Sequence, residues 1–448
     1  MLLQPGAPRP KRRFPRDPAT ALVGSLGTQA LILLLNILTG VITARMLGPE
    51  GRGMYVAIAL WPTLLSTLAT AGLGSALVFR LRKAPEAASH TIAAALLLTT
   101  VTSLVSVAAG VLLLPHFLLR YEPAIVLFAQ VCLLNTVVNS VQALTRQSFA
   151  GIGKYWYCNL SQLLPQIFHF VALVAAIPLA AMSPRYAILA LLASSGLALL
   201  VLLPKIIHFL RPRFRGAAGE LRSLVSFSMR AAPMDVVYAL ATYSDRLVLI
   251  PLLPPEQLGF YAVAFSFSRV LQYIQPAITS VFFSHISAQT ESDGVRLHNR
   301  AFRFVFVCLA VTIAVLWAVG HGLLVFAYGP EFGEAVTVFR LLLLEAALGA
   351  LSQVTVQLFL SRNRPGVVSA IQGIVLALCV AALLILVPRY GGMGAAICLL
   401  GAAAIRWLLL LGAMRAILKV PFSSPVPGRD DVRDVIGWLR YVVQSHHA

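Results

Sequence analysis

Apolar residues along this chain run almost unbroken for about 20 positions at a time, with short polar stretches between. At 1.5 Å rise per residue a run of that length crosses the ~30 Å hydrocarbon core of a bilayer as a helix. Twelve runs can be marked out. Six lie in the first half, at 21–45, 54–79, 91–114, 124–144, 157–177 and 186–207; six lie in the second, at 231–253, 259–285, 304–326, 335–360, 367–387 and 393–417. Only helices or closed barrels satisfy their backbone in lipid, and runs this long are helical. The pattern predicts an all-α polytopic membrane protein with twelve transmembrane helices and no soluble domain.

One phrase occurs twice. Leu47-Gly-Pro-Glu-Gly-Arg-Gly-Met-Tyr55 returns 206 residues later as Leu253-Pro-Pro-Glu-Gln-Leu-Gly-Phe-Tyr261, each copy between two apolar runs. Residues 121–128 (YEPAIVLF) similarly resemble 332–339 (FGEAVTVF) at an offset of 211, which sets Gln142 on Gln353. A repeat this long predicts two similar halves of six helices each. The expected divisions are a basic tail over 1–20, one six-helix bundle over 21–207, a linker over 208–230, a second bundle over 231–418 and a tail over 419–448. In that last tail Val432, Val435, Leu439 and Val442 recur at helical spacing, which predicts an amphipathic interfacial helix.

Composition agrees: 59% of residues are apolar and 11% charged, outside the range of soluble domains. The net charge of +19 raises the question of nucleic acid, and its distribution answers it. With a cytoplasmic N-terminus, five of the 35 Lys and Arg fall outside (Arg45, Arg52, Arg120, Arg185, Arg389), four inside spans, and the rest in inner segments. That is the positive-inside bias, so both termini are expected in the cytoplasm and the halves share one orientation. The five cysteines all lie within spans without metal-ligand spacing and read as packing residues. No cofactor is expected.

Seven charges lie within spans and away from the end turns that hold Arg45, Lys205 and Arg415: Asp235, Asp245, Arg246, Arg269, Arg340, Glu345 and Arg406. A charge at mid-bilayer costs about 2.5–3.5 kcal/mol on insertion scales, so such residues face a bundle interior or cavity. At 100° per residue Asp235, Tyr238, Thr242, Asp245 and Arg246 share one face of the seventh span, and Ser266, Arg269, Gln272 and Tyr273 share one of the eighth. The first half offers uncharged counterparts: Asn36 and Thr43, then Asn135, Asn139 and Gln142, then Asn159, Gln162 and Gln166. A lone Ser, Thr or Asn reads as an interhelical hydrogen bond worth ~0.6 kcal/mol, and His169 as a satisfied core histidine. A deep arginine stays charged and needs an anion or water; for Arg246 the adjacent Asp245 is one alternative partner. Arginines with amides and hydroxyls suit a large polar anion such as a pyrophosphate bearing sugars. Asp235, Asp245 and Glu345 are candidates to carry a coupling proton or sodium ion.

Those same residues carry a family resemblance. The stretch Thr43-Ala-Arg-Met-Leu-Gly-Pro-Glu-Gly-Arg-Gly-Met-Tyr55 resembles the end of the first helix of bacterial polysaccharide-transport proteins in the MOP superfamily, which also holds O-antigen flippases, lipid II flippases and MATE efflux pumps. Asp245-Arg-Leu-Val-Leu-Ile250 followed by Leu258-Gly-Phe-Tyr-Ala262 is similar to that family's seventh-helix signature, and Tyr390-Gly-Gly-Met-Gly-Ala-Ala396 to the glycine-rich start of its last helix. The resemblance covers about residues 20–420. It implies two six-helix bundles around a central cavity that opens alternately to each side, with Arg269, Asn36 and Arg45 on cavity-facing helices. One departure is that the first half lacks a mid-span charge, whereas lipid II flippases carry basic residues near the start of the first helix. Two extra C-terminal spans are also missing, and both points argue against a peptidoglycan precursor.

The leading expectation is a flippase of the bacterial inner membrane. It would move an undecaprenyl-pyrophosphate-linked oligosaccharide outward for surface polysaccharide such as O-antigen. The expected substrate-binding set is Arg269, Arg246, Arg45, Asn36, Asn139, Gln272, Tyr238 and Arg340. A MATE-type drug or cation antiporter would favour carboxylates over arginines, and a polymerase or ligase needs larger outer loops. A monomer, working near a polysaccharide polymerase, is the expected assembly.

Overall fold

The structure is a computed structural model that describes residues 18–179, 182–269, 291–362 and 364–420. The two tails expected at the termini lie largely outside these residues, as does the amphipathic stretch at Val432–Val442. Described elements are helices: α1 Pro18–Ala69, α2 Leu73–Lys83, α3 Ala88–Phe117, α4 Pro123–Cys132, α5 Asn135–Gly151, α6 Tyr155–Ala176, α7 Pro184–Lys205, α8 Ala218–Leu252, α9 Pro255–Ser268, α10 Glu291–Tyr328, α11 Ala335–Ser361 and α12 Pro365–Ile417.

Eight of the described stretches are long and apolar enough to cross a membrane. Two of these are doubly long. The 52 residues of α1 and the 53 of α12 would each extend ~78 Å or more as a straight helix, over twice the hydrocarbon thickness. Each is broken at one glycine, Gly48 (φ 66°) and Gly391 (φ 57°), in a backbone conformation that side chains with a Cβ avoid. The short loops expected at 48–53 and 388–392 therefore shrink to a single residue. Two expected spans are also interrupted. A turn at Gly72 (φ 73°) separates α1 from α2, and a turn at Leu133–Leu134 separates α4 from α5.

Large apolar side chains such as Leu112, Leu119, Leu179 and Phe326 stand exposed on the outer surface, as a chain solvated by lipid requires. Buried positions favour small residues: Ala93, Ala94, Ala95, Thr99 and Ser103 follow one another on α3, and α11 buries Ala346, Ala347, Gly349 and Ala350. Close backbone approach and dispersion replace the hydrophobic effect between helices in lipid. The free cysteines Cys132, Cys379 and Cys398 are buried among these packed positions.

One helix joins the halves. Through its first turns α8 lies against α2 and α3 of the first half, and further on it packs on α12 of the second. Its close approach is set by Gly72, where a Cβ would fall 2.2 Å from the Ser228 carbonyl oxygen. The Gly72 amide, unpaired at the start of α2, donates to Asp235 Oδ2 at 2.7 Å. Phe79 stacks on Phe227 at 5.2 Å. At the same end Arg80 donates to both Glu220 oxygens at 2.8 and 3.1 Å, and Thr91 adds a longer bond at 3.4 Å.

This clasp has a signed pH dependence. Hydrogen bonds from Arg80 hold the Glu220 carboxyl below its ordinary value against a smaller opposing effect of burial. Its contribution is therefore complete above the unfolded-state pKa of ~4.3 and is lost as pH falls through the lower folded value. Glu220→Gln should lower stability at pH 7 by about 1 kcal/mol. Thermal unfolding of the detergent-solubilised protein checks this: the gap between wild type and variant should close only at acid pH, below ~4.5, and a gap independent of pH would contradict it.

Candidate functional site

The two copies of the repeated phrase meet. A Cβ built on Gly53 would fall 1.7 Å from the carbonyl oxygen of Pro255, and one built on Gly259 would fall 1.9 Å from the carbonyl oxygen of Pro49. Pro49 and Pro255 occupy the same place in the two copies, as do Gly53 and Gly259. The contact is thus reciprocal about a pseudo-twofold axis: each copy presses its glycine onto the other's proline carbonyl. No residue with a side chain fits at either glycine without separating the helices, so the sequence identity of the repeat follows from this contact.

Two arginines tie the same end together. Arg45 reaches across the halves to the last turn of α10, where its Nε donates to the Ala327 carbonyl at 2.8 Å and a terminal nitrogen donates to that of Phe326. Arg120 Nε donates to the Pro251 carbonyl in the last turn of α8 at 3.1 Å. Both act on helix C-termini, where unpaired carbonyls and the helix dipole favour a cation. Arg45, expected in the substrate set, is placed by the structure in this seam.

Just inside the seam is a cavity of about 200 Å³ lined from both halves. Arg52, Tyr55 and Thr63 of α1 face Tyr243 and Arg246 of α8 and Tyr261, Phe265 and Ser266 of α9. At ~30 Å³ per water it has room for six or seven. Arg52 was expected in an outer loop; it is 8% exposed, donates to Thr43 Oγ1 at 2.6 Å and lies over the Tyr55 ring at 5.1 Å, while its buried Nε has no hydrogen-bond partner among the described residues. Tyr55 in turn stacks on buried His169 at 6.4 Å. Across the cavity, the Arg246 guanidinium lies over Phe265 at 4.7 Å and Tyr243 at 5.4 Å, and its Nε also lacks a hydrogen-bond partner. Asp245 is only a loose partner for it at 3.6 Å, because the other carboxylate oxygen, Oδ2, accepts from the Tyr261 hydroxyl at 2.8 Å. Two guanidinium groups thus line one cavity from opposite halves, with tyrosine, serine and threonine hydroxyls among its walls. That arrangement is built to take up an anion.

Arg269 is differently placed. Its terminal nitrogen pairs with Glu345 at 3.0 Å, and its guanidinium lies on Phe265 at 4.1 Å, in a cluster that Arg406 joins from α12 beside Gly349. Arg406 lies within Coulombic range of both Arg269 and Glu345. The structure therefore brings Asp245, Arg246, Arg269 and Glu345 together, with Glu345 paired to Arg269 and in the field of Arg406. The other expected residues are scattered. Asp235 accepts the Gly72 amide in the clasp described above, far along α8 from the cavity. Arg340 lies over Trp317 at 5.3 Å, Asn139 accepts from Asn135 at 3.2 Å, Asn36 is exposed on α1, and Tyr238 is 68% exposed. Gln272 lies outside the described residues.

With the geometry in place, comparison with known proteins is direct. Residues 23–288 match the family described as polysaccharide biosynthesis protein, more than half of the chain. The chain belongs to that family. No curated protein matches at a significant level. Among solved structures the chain is similar to the lipid II flippase MurJ in an inward closed conformation, with a TM-score of 0.71 at 14% identity over 88% of each chain. It is also similar to an inward-facing multidrug resistance MATE family transporter of the MOP superfamily, with a TM-score of 0.67 at 14% identity over 87% of this chain and 96% of that one. For an outward-facing one the TM-score is 0.59 at 16% identity, over 89% and 96%. These likenesses establish the MOP-superfamily fold.

Two predictions follow from the seam and the buried cluster. Gly53→Leu or Gly259→Leu should lower thermal stability by ~1–3 kcal/mol, the usual cost of overpacking, while Gly401→Ala, whose Cβ meets nothing within 4 Å, should be neutral. A melting curve of each variant in detergent decides it. Arg269→Ala should reduce the amount of folded protein by stranding Glu345, and Glu345→Gln in the same chain should restore most of the loss. Additive losses in that cycle would show that the pair does not act as a unit.

Proposed function

We propose that the protein is a flippase that carries a polyprenyl-pyrophosphate-linked oligosaccharide outward across the bacterial inner membrane by alternating access. The observation carrying this reading is the cavity between Arg52 and Arg246. Pyrophosphate oxygens accept from guanidinium forks in pairs, and the surrounding Tyr55, Tyr243, Thr63 and Ser266 offer hydroxyls. At about 200 Å³ the cavity suits a phosphoryl group, so the sugars require it to widen. Family membership in polysaccharide biosynthesis supports the substrate class.

On the positive-inside assignment, the end bearing the repeated phrase faces outward and both termini are cytoplasmic. The glycine–proline seam, with Arg45 and Arg120, is then the outer gate in its closed state. The better geometric agreement with inward than with outward conformations of the fold supports the same orientation. Arrival of the pyrophosphate between Arg52 and Arg246 would pair with both guanidinium groups and shift the balance between seam-closed and seam-open states. A cation exporter would need free buried carboxylates. Asp245 and Glu345 are each already engaged by tyrosine or arginine, so the cavity favours an anion, and a coupling ion would have to compete with those partners.

The expected outcome is that Arg246→Ala and Arg52→Ala each abolish surface polysaccharide while leaving membrane levels of the protein unchanged. In a strain carrying either variant, lipid-linked oligosaccharide should accumulate on the cytoplasmic face, where a membrane-impermeant glycosidase added to inverted vesicles can reach it. Normal polysaccharide from both variants would remove the cavity from the transport path.

A further inference from the structure

A surface groove of about 550 Å³ lies at the other end of the molecule. It is lined by Ser75, Val78, Phe79, Arg82 and Lys83 of α2 and by Gln147 of α5. The last turn of α2 carries three cations, Arg80, Arg82 and Lys83, and they are divided between two faces. Arg80 and Arg82 point 200° apart at 100° per residue. Arg80 is held by Glu220 in the clasp. Arg82 looks the other way, on the stripe of Ser75 and Phe79; Lys83 stands 60° from Arg80 and lines the same groove, and neither Arg82 nor Lys83 pairs with a carboxylate among the described residues. Lys83 has only the Phe79 ring, at 5.8 Å. Gln147 is fixed in place because it packs on Gly74, where a Cβ would lie 3.3 Å from the Gln147 side chain.

We infer that this groove is a docking site for the diphosphate of the lipid-linked substrate, occupied before the substrate enters the cavity between the halves; the inference rests on the flippase reading given above. Two adjacent cations, an amide and a hydroxyl converge there. That donor set matches the charge and oxygen count of a diphosphate better than those of a singly charged phosphodiester. The groove sits where the positive-inside assignment puts the inner leaflet, so a headgroup can reach it while its prenyl tail stays in lipid. Phe79, 51% exposed, gives the groove an apolar wall beside its cations. It also stacks on Phe227 of α8, so an occupied groove touches the helix that joins the halves.

The test is binding of farnesyl diphosphate to the full chain in detergent micelles, read by microscale thermophoresis, with phosphatidylglycerol as competitor. Removing both cations in Arg82→Gln/Lys83→Gln should weaken farnesyl diphosphate binding about 30-fold, at roughly five-fold per cation near the surface. The charge-matched control Arg213→Gln/Arg215→Gln, on the linker, should change it less than three-fold. Equal losses in both double variants would overturn the site, because a diffuse surface field would then explain the binding. Binding displaced by equimolar phosphatidylglycerol would overturn the diphosphate assignment in favour of a bulk lipid headgroup. Loss of binding in Arg246→Ala but not in Arg82→Gln/Lys83→Gln would overturn the docking groove and leave the flippase reading standing. A wild-type chain with no saturable binding of farnesyl diphosphate would count against both.

Discussion

Everything at one end of this molecule depends on two helices brought into backbone contact at a pair of glycines. At Gly53 and Gly259 there is no room for a single methyl group, because the opposing proline carbonyls occupy the space. Helices that close exchange dispersion contacts over their full backbone surface, which is the main attraction available between helices already solvated by lipid. Beside the glycines, Tyr55 and Ile58 of α1 join Leu258 and Tyr261 of α9 in one buried cluster. If the seam is the gate proposed above, the glycines let the two helices close fully on each other. The arginine caps on α8 and α10 add polar contacts that water can replace once the seam opens.

The halves share this architecture and divide the charge. Asp245, Arg246, Arg269 and Glu345 lie in the second half, Arg406 with them, and the first half supplies Arg52 from the opposite wall of the cavity. Within the cluster most charges neutralise one another, as burial demands. Arg52 and Arg246 are the two arginines that line the cavity between the halves. Transport by this reading uses that pair, and stability uses the Arg269–Glu345 pair beside it.

Much of this was legible in the chain itself. Run length and the bias of Lys and Arg marked the helices, because lipid enforces both by simple solvation. The repeat pointed to two similar halves, and its Pro, Gly and Tyr positions turned out to be the seam. What the sequence could not show is which polar residue meets which, since spacing along one helix says nothing about the face a neighbour presents. Asp235 shares the helix stripe of Asp245 yet is used by the Gly72 amide, and Arg269 looks like a free anion binder until Glu345 is seen beside it. Arg52 was hidden by its position in a supposed loop. Two signals were available for it. It is the place where the first copy of the phrase has a cation and the second has Leu258, and it is one of only five cations set against the inward bias, two of which (Arg45 and Arg120) prove to tie helix ends together there.

The claim that the repeated phrase forms a gate can be tested by distance. Glu50 and Glu256 occupy equivalent places in the two copies and are both exposed. Spin labels on Glu50→Cys and Glu256→Cys, with the native cysteines replaced, would report the width of the seam by double electron–electron resonance in proteoliposomes. A single short distance without substrate, joined by a longer population when lipid-linked oligosaccharide is added, is the predicted result. One unchanged short distance in vesicles that demonstrably move the substrate would contradict the account, because the substrate would then be leaving by another route.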